Sequence, residues 1–400
     1  MLAFDDARAR LLAAVHPIGS ERLPLALALG RVLAESVSAR EPLPAFDASA
    51  MDGYAIAAAS IAGDGPHTLP VVGESRAGSV PAPLAAGAAC RIFTGAILPT
   101  GADTVVMQEN VVRRGDDAIF ETEARPGAHV RRRGEDLAAG AIALARGTRL
   151  GPAQLALAAS ADRGELVVAR RPIVAILSTG DELRAPGSAP RGGTIPESNG
   201  IALWSIATSA GAAAHLAPST GDDAEATARA IEAALAGVDV LVTVGGVSVG
   251  DHDVVRPALE RAGVSLDFWK VAMKPGKPLA VGKRGATHVL GLPGNPVSAL
   301  VTFLLFGVPL LRALQGDRAP VAAPLPAVLS HALTRSPGRT EFVRVSLARR
   351  GAELVATPLD NQASGAIVAL AACDGLAIID ASVATLPAGA PVLVLRLADA

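Results

Sequence analysis

The 400-residue chain reads as a multidomain α/β protein. Its centre is a parallel-sheet α/β domain, flanked by an inserted β-rich domain, an N-terminal linking region and a C-terminal small β-barrel-like domain. Three observations predict this. The length exceeds that of one ordinary domain. From Pro172 onward the sequence repeats a strand, loop and helix rhythm, which argues for a parallel sheet with helices on both faces. Before and after that stretch the pattern changes to short apolar runs broken by turn residues.

Residues 4–15 read as an amphipathic helix, and residues 21–38 continue an apolar periodicity. "EPLPAFDASAMDGYAI" then breaks the pattern, because Pro42 and Pro44 favour extended chain. Residues 68–123 alternate short strands and turns. "CRIFTGAILPTGADTVVMQENVV" holds two apolar runs separated by Pro-Thr-Gly-Ala-Asp. Residues 140–171 return to a helical reading. In the central part, "PIVAILSTG", "AAHLAPST" and "DVLVTVGG" are strands, with "LDFWKVA", "KPLAVG" and "THVLGLP" after them. "NGIALWSIATSAG", "DDAEATARAIEAALAG" and "DVVRPALERAG" are the helices between, the second with acids in its first turn, where the dipole favours them. After "APVAAPLPA" the strands "EFVRVSLA", "ELVATPL", "GLAIID" and "PVLVLRLA" suggest a small barrel or sandwich. The expected domains are therefore 1–46 with 139–171, 47–138, 172–322 and 323–400.

Composition excludes several function classes. Half the residues are apolar but only 3% are aromatic, so alanine, valine and leucine must form the cores. The net charge is −2, and no basic field calls for nucleic acid. The local run Arg131-Arg132-Arg133 is open to two readings, a solvated turn or an anion contact. Cys90 and Cys373 stand far apart in no CxxC pattern, which argues against disulfides and zinc and fits a reducing cytoplasm. "MLAFDDARARLLAAV" carries acids early and lacks a long apolar core, unlike a signal peptide. The apolar residues 297–311 include Gly307 and Pro309 and fall short of the roughly 20 residues that span a bilayer. A buried helix, and no membrane partner, is the expectation.

The candidate chemistry lies in three loops. In open parallel sheets ligands sit beyond the carboxyl ends of strands. "STGDEL", "GGVSVGDHD" and "GLPGNPVSA" each follow such a strand. Gly245, Gly246 and Gly250 let backbone approach a phosphate, and Ser248 can donate to one. Asp251 and Asp253 repel a phosphate directly, so they make sense around a divalent cation, with Glu182 joining them; all-oxygen ligands suit Mg²⁺. Asn295 is placed to cap the helix that Pro296 opens. Exposed N–H groups at that start, beside Pro293 and Gly294, suit an anion. Lys270, Lys274 and Lys277 surround Pro275-Gly276 and can hold a second anion. Asp47 and Asp52 flank the approach to the chain's single tyrosine, Tyr54. Thr94 and Gly95 end a strand, and Glu135 and Asp136 follow the arginine run. No Ser-His-Asp order and no GxxxxGK[ST] motif is present.

Taken together, "PAFDASAMDGYA", "RIFTGAILPTGADTVVMQE", "RRRGED", "STGDEL", "GGVSVGDHD", "KPGKPLAVG" and "GLPGNPVSA" resemble, in order, the molybdopterin molybdotransferase family of bacterial MoeA proteins and the C-terminal domain of gephyrin. The resemblance covers about residues 1 to 400. It implies that the protein takes adenylylated molybdopterin, inserts molybdate at the dithiolene and releases AMP, with Mg²⁺ as cofactor. It also implies a homodimer built through the N-terminal region and a central domain of the molybdopterin-binding type. The active cleft would lie between that domain of one subunit and the inserted domain of the other. Carried over by motif, the functional positions are Asp52, Thr94, Asp136, Glu182, Asp222 or Asp223, Asp253, Lys270, Lys274, Pro293, Pro296 and Ser364. The metal ligands would be Glu182, Asp251, Asp253 and Asp222, with Asp253 weighted above Asp251. Other enzymes of cofactor biosynthesis are the implied partners. Two alternatives stay open: the adenylyltransferase reaction itself, and a non-catalytic pterin-binding or scaffold role.

Overall fold

Ile173–Ser178, Val240–Val244 and Thr287–Leu292 lie side by side and parallel at the middle of a six-stranded sheet. The computed structural model describes residues 1–221, 223–246 and 254–398. These strands read as unbroken apolar runs because both faces are covered, and Val240–Val244 is buried at every position. Val174, Ile176, Val240 and Val242 face a core formed with the helices Phe4–Ala13 and Asn199–Ser209 and the chain from Pro296 to Leu314. Ala175, Leu177, Leu241 and Val289 face the opposite core, with Ile231 of the helix Ala224–Ala234 and Val255, Ala258 and Leu259 of the helix Val255–Arg261. The alternation along each strand is what separates the two layers.

The sheet is not wholly parallel. Ala213–Leu216 joins the parallel set at one edge, but Pro278–Arg284 runs antiparallel to Thr287–Leu292 and to Ser265–Lys270. The register pairs Arg284 with Thr287, so only Gly285 and Ala286 lie between them. A two-residue connection can only reverse direction, whereas a parallel pair needs a long crossover.

The N-terminal region is less helical than its apolar periodicity and the helical reading of 140–171 suggest. Residues 21–38 form no α-helix: Ser20–Pro24 is a strand paired with Glu165–Ala169, followed by the short 3-10 turn Leu25–Leu27. Gly30 has φ +75°, a conformation that side-chain-bearing residues rarely adopt. Within 140–171 only Pro152–Ser160 is α-helical. Ile142–Leu144 and Glu165–Ala169 are strands, because Val167 and Val168 find cross-strand partners there. Residues 4–15 behave as expected, with Phe4, Ala7 and Leu11 buried on one face of the helix Phe4–Ala13.

The inserted part carries its own mixed six-stranded sheet, in the order Thr104–Met107, Gly53–Ile56, Ala89–Ile92, His67–Ser75, Asp117–Phe120, Val111–Arg114. In the C-terminal part Thr340–Arg350 pairs with both Glu353–Pro358 and Gly375–Ile379. Leu325–Leu329 and Pro391–Arg396 complete the ring, which closes as a five-stranded barrel without free edges. Met273–Lys274 adds to this barrel beside Thr340 and Glu341. Phe4 packs edge-on against Phe306 and Phe342, at 5.5 and 4.8 Å between ring centres, and so ties the barrel to the central helices.

Among the described residues, Pro296–Leu314 is the one helix long and apolar enough to cross a membrane, and 83% of its apolar window is buried inside the protein. It is a core helix, as expected. Its middle widens into a π-helical segment, Phe303–Gly307. Pro309 follows and cannot donate to Leu305, which accounts for the disturbed ladder.

This helix also seats the lysine loop. Gly276 has φ +100°, and a Cβ there would lie 2.2 Å from Thr302 Oγ1. Thr302 is fully buried, so it has no room to retreat. Gly276→Ala is therefore expected to destabilise the protein by roughly 2 kcal/mol or more, through strain and overlap together. Urea unfolding of the variant checks this, and an unchanged midpoint would show that the loop yields to the added methyl without cost.

A candidate active site at the carboxyl edge of the central sheet

Three loops leave the adjacent parallel strands and pack against one another through backbone. Thr179 N–H donates to Val244 O at 2.9 Å, and Gly245 N–H donates to Leu292 O at 3.2 Å. A Cβ on Gly245 would stand 2.3 Å from Thr179 O, and one on Gly246 would stand 2.5 Å from Val255 Cγ2. Both glycines also have positive φ, +94° and +61°. Gly294 approaches closely enough that its Cβ would touch Gly245 Cα at 3.4 Å. The glycines are required by this close approach, which leaves polar backbone at the sheet edge.

Two cavities open there. The larger, about 480 Å³, is lined by Glu182, Gly246, Lys270, Lys277, Pro293, Gly294, Asn295 and Pro296, together with Ile195 and Pro278. Lys270 ends its strand and Lys277 precedes a strand of opposite direction, so both arrive at the same edge. The smaller, about 230 Å³, is lined by Ser178, Thr179, Gly180, Glu182, Leu183, Glu197, Asn199, Val244, Gly245, Gly246 and Gly294. Glu182, Gly246 and Gly294 belong to both.

Other expected residues are placed differently. Lys274 lines neither cavity. Its ammonium lies 2.7 Å from Glu341 Oε1, and Glu341 Oε2 takes Arg335 at 2.7 Å, so Lys274 faces the barrel and not the other two lysines. Asn295 holds the cap position and Pro296 opens the helix, but the Asn295 side chain makes no capping bond. Val297 N–H, expected to be open to an anion, donates instead to Ser364 O at 3.0 Å. That bond brings Ser364 of the C-terminal part to the rim of the site while using up one donor. Asp223 caps the helix Ala224–Ala234 through Ala226 N–H at 2.7 Å, a structural role. Asp222, Ser248, Gly250, Asp251 and Asp253 lie outside the described residues.

Asp52, Thr94 and Asp136 belong to the inserted part and its stem and line neither cavity. Asp52 Oδ1 accepts from Thr94 N–H at 2.7 Å and from its hydroxyl at 2.8 Å. These bonds, the amide first, hold the Asp52 carboxyl below the ordinary range. Arg91 braces the same loop: it donates to Gly53 O at 2.8 Å and lies over the rings of Tyr54 and Phe93. Asp136 pairs with Arg131 at 2.7 Å, and both are exposed. Arg132 and the Arg133 amide both bind Asp47 at 2.8 Å, the amide being the main cause of that carboxyl's lowered pKa. The arginine run therefore serves the chain's own acids.

Sequence reasoning missed Glu197 and Asn199. Both stand in "PESNG", which reads as an ordinary loop; the available signal was an acid and an amide at the start of a helix on the sheet's ligand side. No group of three or more His, Cys, Asp or Glu side chains gathers as a metal site among the described residues. Glu182 is the described member of the expected acids. Its place between the cavities fits Mg²⁺, which is commonly held by one or two carboxylates and the substrate's phosphates.

The chain matches three family models: the MoeA N-terminal region (domains I and II) over residues 2–161, a probable molybdopterin binding domain over 175–313, and the MoeA C-terminal region (domain IV) over 326–397. It is 38% identical over 390 residues to molybdopterin molybdenumtransferase 2 of Mycobacterium tuberculosis, covering 95% of each chain. It is 38% identical over 409 residues to the molybdopterin molybdenumtransferase of Synechococcus elongatus, covering 99% of this chain and 100% of the relative. The fold superposes on the crystal structure of a molybdopterin biosynthesis MoeA protein from Pyrococcus horikosii with TM-score 0.82, at 31% identity and 99% coverage of both chains. With relatives this similar over nearly their whole length, and with the glycine loops and lysines converging on one sheet edge, the chain belongs to the MoeA family of molybdopterin molybdenumtransferases.

Proposed function

We propose that the protein inserts molybdate into adenylylated molybdopterin and releases AMP, as a step of molybdenum cofactor biosynthesis. One observation carries this reading: two cavities share Glu182 and the glycine backbone, and only the larger is lined by lysines. Lys270 and Lys277 suit phosphate or molybdate oxygens. Glu182, with Asp251, Asp253 and Asp222, is the assigned seat of Mg²⁺. When bound, that ion would polarise the phosphoanhydride as a Lewis acid. The dithiolene sulfurs belong to the substrate, so the chain needs no thiol ligand of its own. Asp52, held ionised by Thr94, is a weak base near neutral pH and is assigned to orienting charge and not to taking a proton.

We read the protein as a homodimer in which Asp52 and Thr94 of one subunit meet the cavities of the other. This accounts for their absence from the cavity lining within one chain. The site residues in the inserted part favour molybdenum insertion over adenylyl transfer, which the central sheet alone would equally suit.

The test is AMP release from purified protein given adenylyl-molybdopterin and Mg²⁺, with and without molybdate. Molybdate-dependent release, with product able to activate a cofactor-free molybdoenzyme, is the expected result. Tight substrate binding without release would favour the carrier or scaffold reading, and formation of adenylyl-molybdopterin from ATP would favour the adenylyltransferase.

A further inference from the structure

We infer that Arg91 is a positioning residue for the reaction, holding Asp52 in place through Gly53 and Gln108; this rests on the role proposed above for Asp52. The topology sets the arrangement. Gly53–Ile56 lies between Ala89–Ile92 and Thr104–Met107 and runs antiparallel to both. Its start therefore meets the ends of its two neighbours, which brings Asp52, Thr94 and Gln108 together. Gly53 pairs with Ile92 on one side and with Met107 on the other. A Cβ there would stand 2.0 Å from Val106 O, so glycine is what lets the chain after Asp52 lie this close. Arg91 stands opposite Tyr54 in the same register, and residues directly opposite share a face of the sheet. Its guanidinium lies 5.2 Å from the ring centre of Tyr54 and 4.8 Å from that of Phe93.

Asp52 and its main chain are held at three points. Its Oδ1 accepts from the Thr94 amide and hydroxyl. Its own carbonyl accepts from Gln108 N–H at 3.0 Å. The next carbonyl, Gly53 O, accepts from Arg91 Nη1 at 2.8 Å. Arg91 Nη2 donates to Gln108 Oε1, so one guanidinium grips the chain on both sides of the acid. Asp52 Oδ2 accepts nothing from the described residues and is the oxygen left for work outside the loop. Arg91 forms no ion pair with the described residues. Packing between two rings would be served as well by an apolar side chain, without the cost of partly burying a charge. The hydrogen bonds of Arg91 go instead to the two residues that flank or hold the Asp52 main chain. A reacting group displaced by about 1 Å can lose on the order of a hundredfold in rate, so such a brace acts on turnover more than on binding.

A double-mutant cycle on steady-state AMP release by the full chain, given adenylyl-molybdopterin, molybdate and Mg²⁺, tests this. Arg91→Met keeps an apolar stem between the two rings and removes both hydrogen bonds. It is expected to lower kcat about thirtyfold and to leave KM within about twofold. In an Asp52→Ala background the same change should cost less than about twofold more, because the acid it positions is gone. Gln108→Ala alters an exposed side chain and cuts the link from Arg91 while keeping the Gln108 amide. It should lower kcat about fivefold, lose that effect in the Asp52→Ala background, and carry the test if Arg91→Met does not fold. A loss that multiplies in full with that of Asp52→Ala, a rise in KM with kcat unchanged, or wild-type kcat in both variants overturns the positioning role alone. An Asp52→Ala protein with wild-type turnover overturns the role of Asp52 and this inference with it. A wild type that releases no AMP overturns both together with the proposed function.

Discussion

Hybrid dimers that combine one Asp52→Ala subunit with one Glu182→Ala subunit should recover AMP release that neither parent homodimer supports. Glu182 lies between the two cavities of the central sheet, whereas Asp52 sits with Thr94 on the inserted part and lines neither. If the working cleft joins these parts across two subunits, each hybrid has one site carrying both lesions and one site carrying none. Random pairing makes half the dimers hybrids, so a mixed population should reach about a quarter of wild-type activity. Each parent alone should fall by roughly a hundredfold or more, the usual range when a charged group of the chemical step is removed. Asp52 is only partly buried on its loop, and its replacement should leave the fold intact. A hybrid purified through two different tags makes the comparison direct. A cleft contained in one subunit would leave both sites of every hybrid damaged, and the hybrid would then be as inactive as its parents.

The loops at this edge were legible because they end long apolar runs. A strand buried on both faces can be seen in a sequence, and Gly245, Gly246 and Pro293 to Pro296 follow such strands directly. Direction was less legible. "KPLAVG" and "THVLGLP" look alike whether parallel or antiparallel, and only the brief Gly285-Ala286 link reveals the reversal. Side-chain destination was least legible. Lys270, Lys274 and Lys277 are neighbours in sequence, yet pairing of Met273–Lys274 with the barrel carries Lys274 to Glu341. Glu197 and Asn199 gain their meaning from contacts with Ser178 and Gly294, the second 95 residues away, and nothing in their own stretch announces that distance. The helical reading of residues 140–171 was too broad for the same reason. The distant strand Ser20–Pro24 supplied a partner that makes Glu165–Ala169 a strand.

His288 should make the central sheet acid-sensitive well above the range of its carboxylates. It lies inside Thr287–Leu292, only 3% exposed, and its Nδ1 has no hydrogen-bond partner among the described residues. Burial pushes its pKa down to about 4, Lys283 across the strand pair adds to the fall, and Asp239 opposes it. In an unfolded chain the same imidazole titrates near 6.5. Between those values the unfolded state takes a proton that the folded state refuses, so stability is full above about pH 6.5 and declines as the pH falls toward 4. The loss approaches about 3 kcal/mol at the lower end. His288→Val, which suits a buried strand, should remove this slope, whatever the substitution costs at neutral pH. Trp204 and Trp269 are the chain's two tryptophans and both belong to the central unit, so their fluorescence follows its unfolding in urea. Comparing wild type and variant at pH 7.5, 5.5 and 4.5 cancels the carboxylate titrations they share. The wild-type midpoint should fall faster, with most of the extra loss appearing below pH 6. Parallel curves would mean that His288 takes up its proton in the folded protein as readily as in the unfolded one, and that the strand opens enough at that position to admit water.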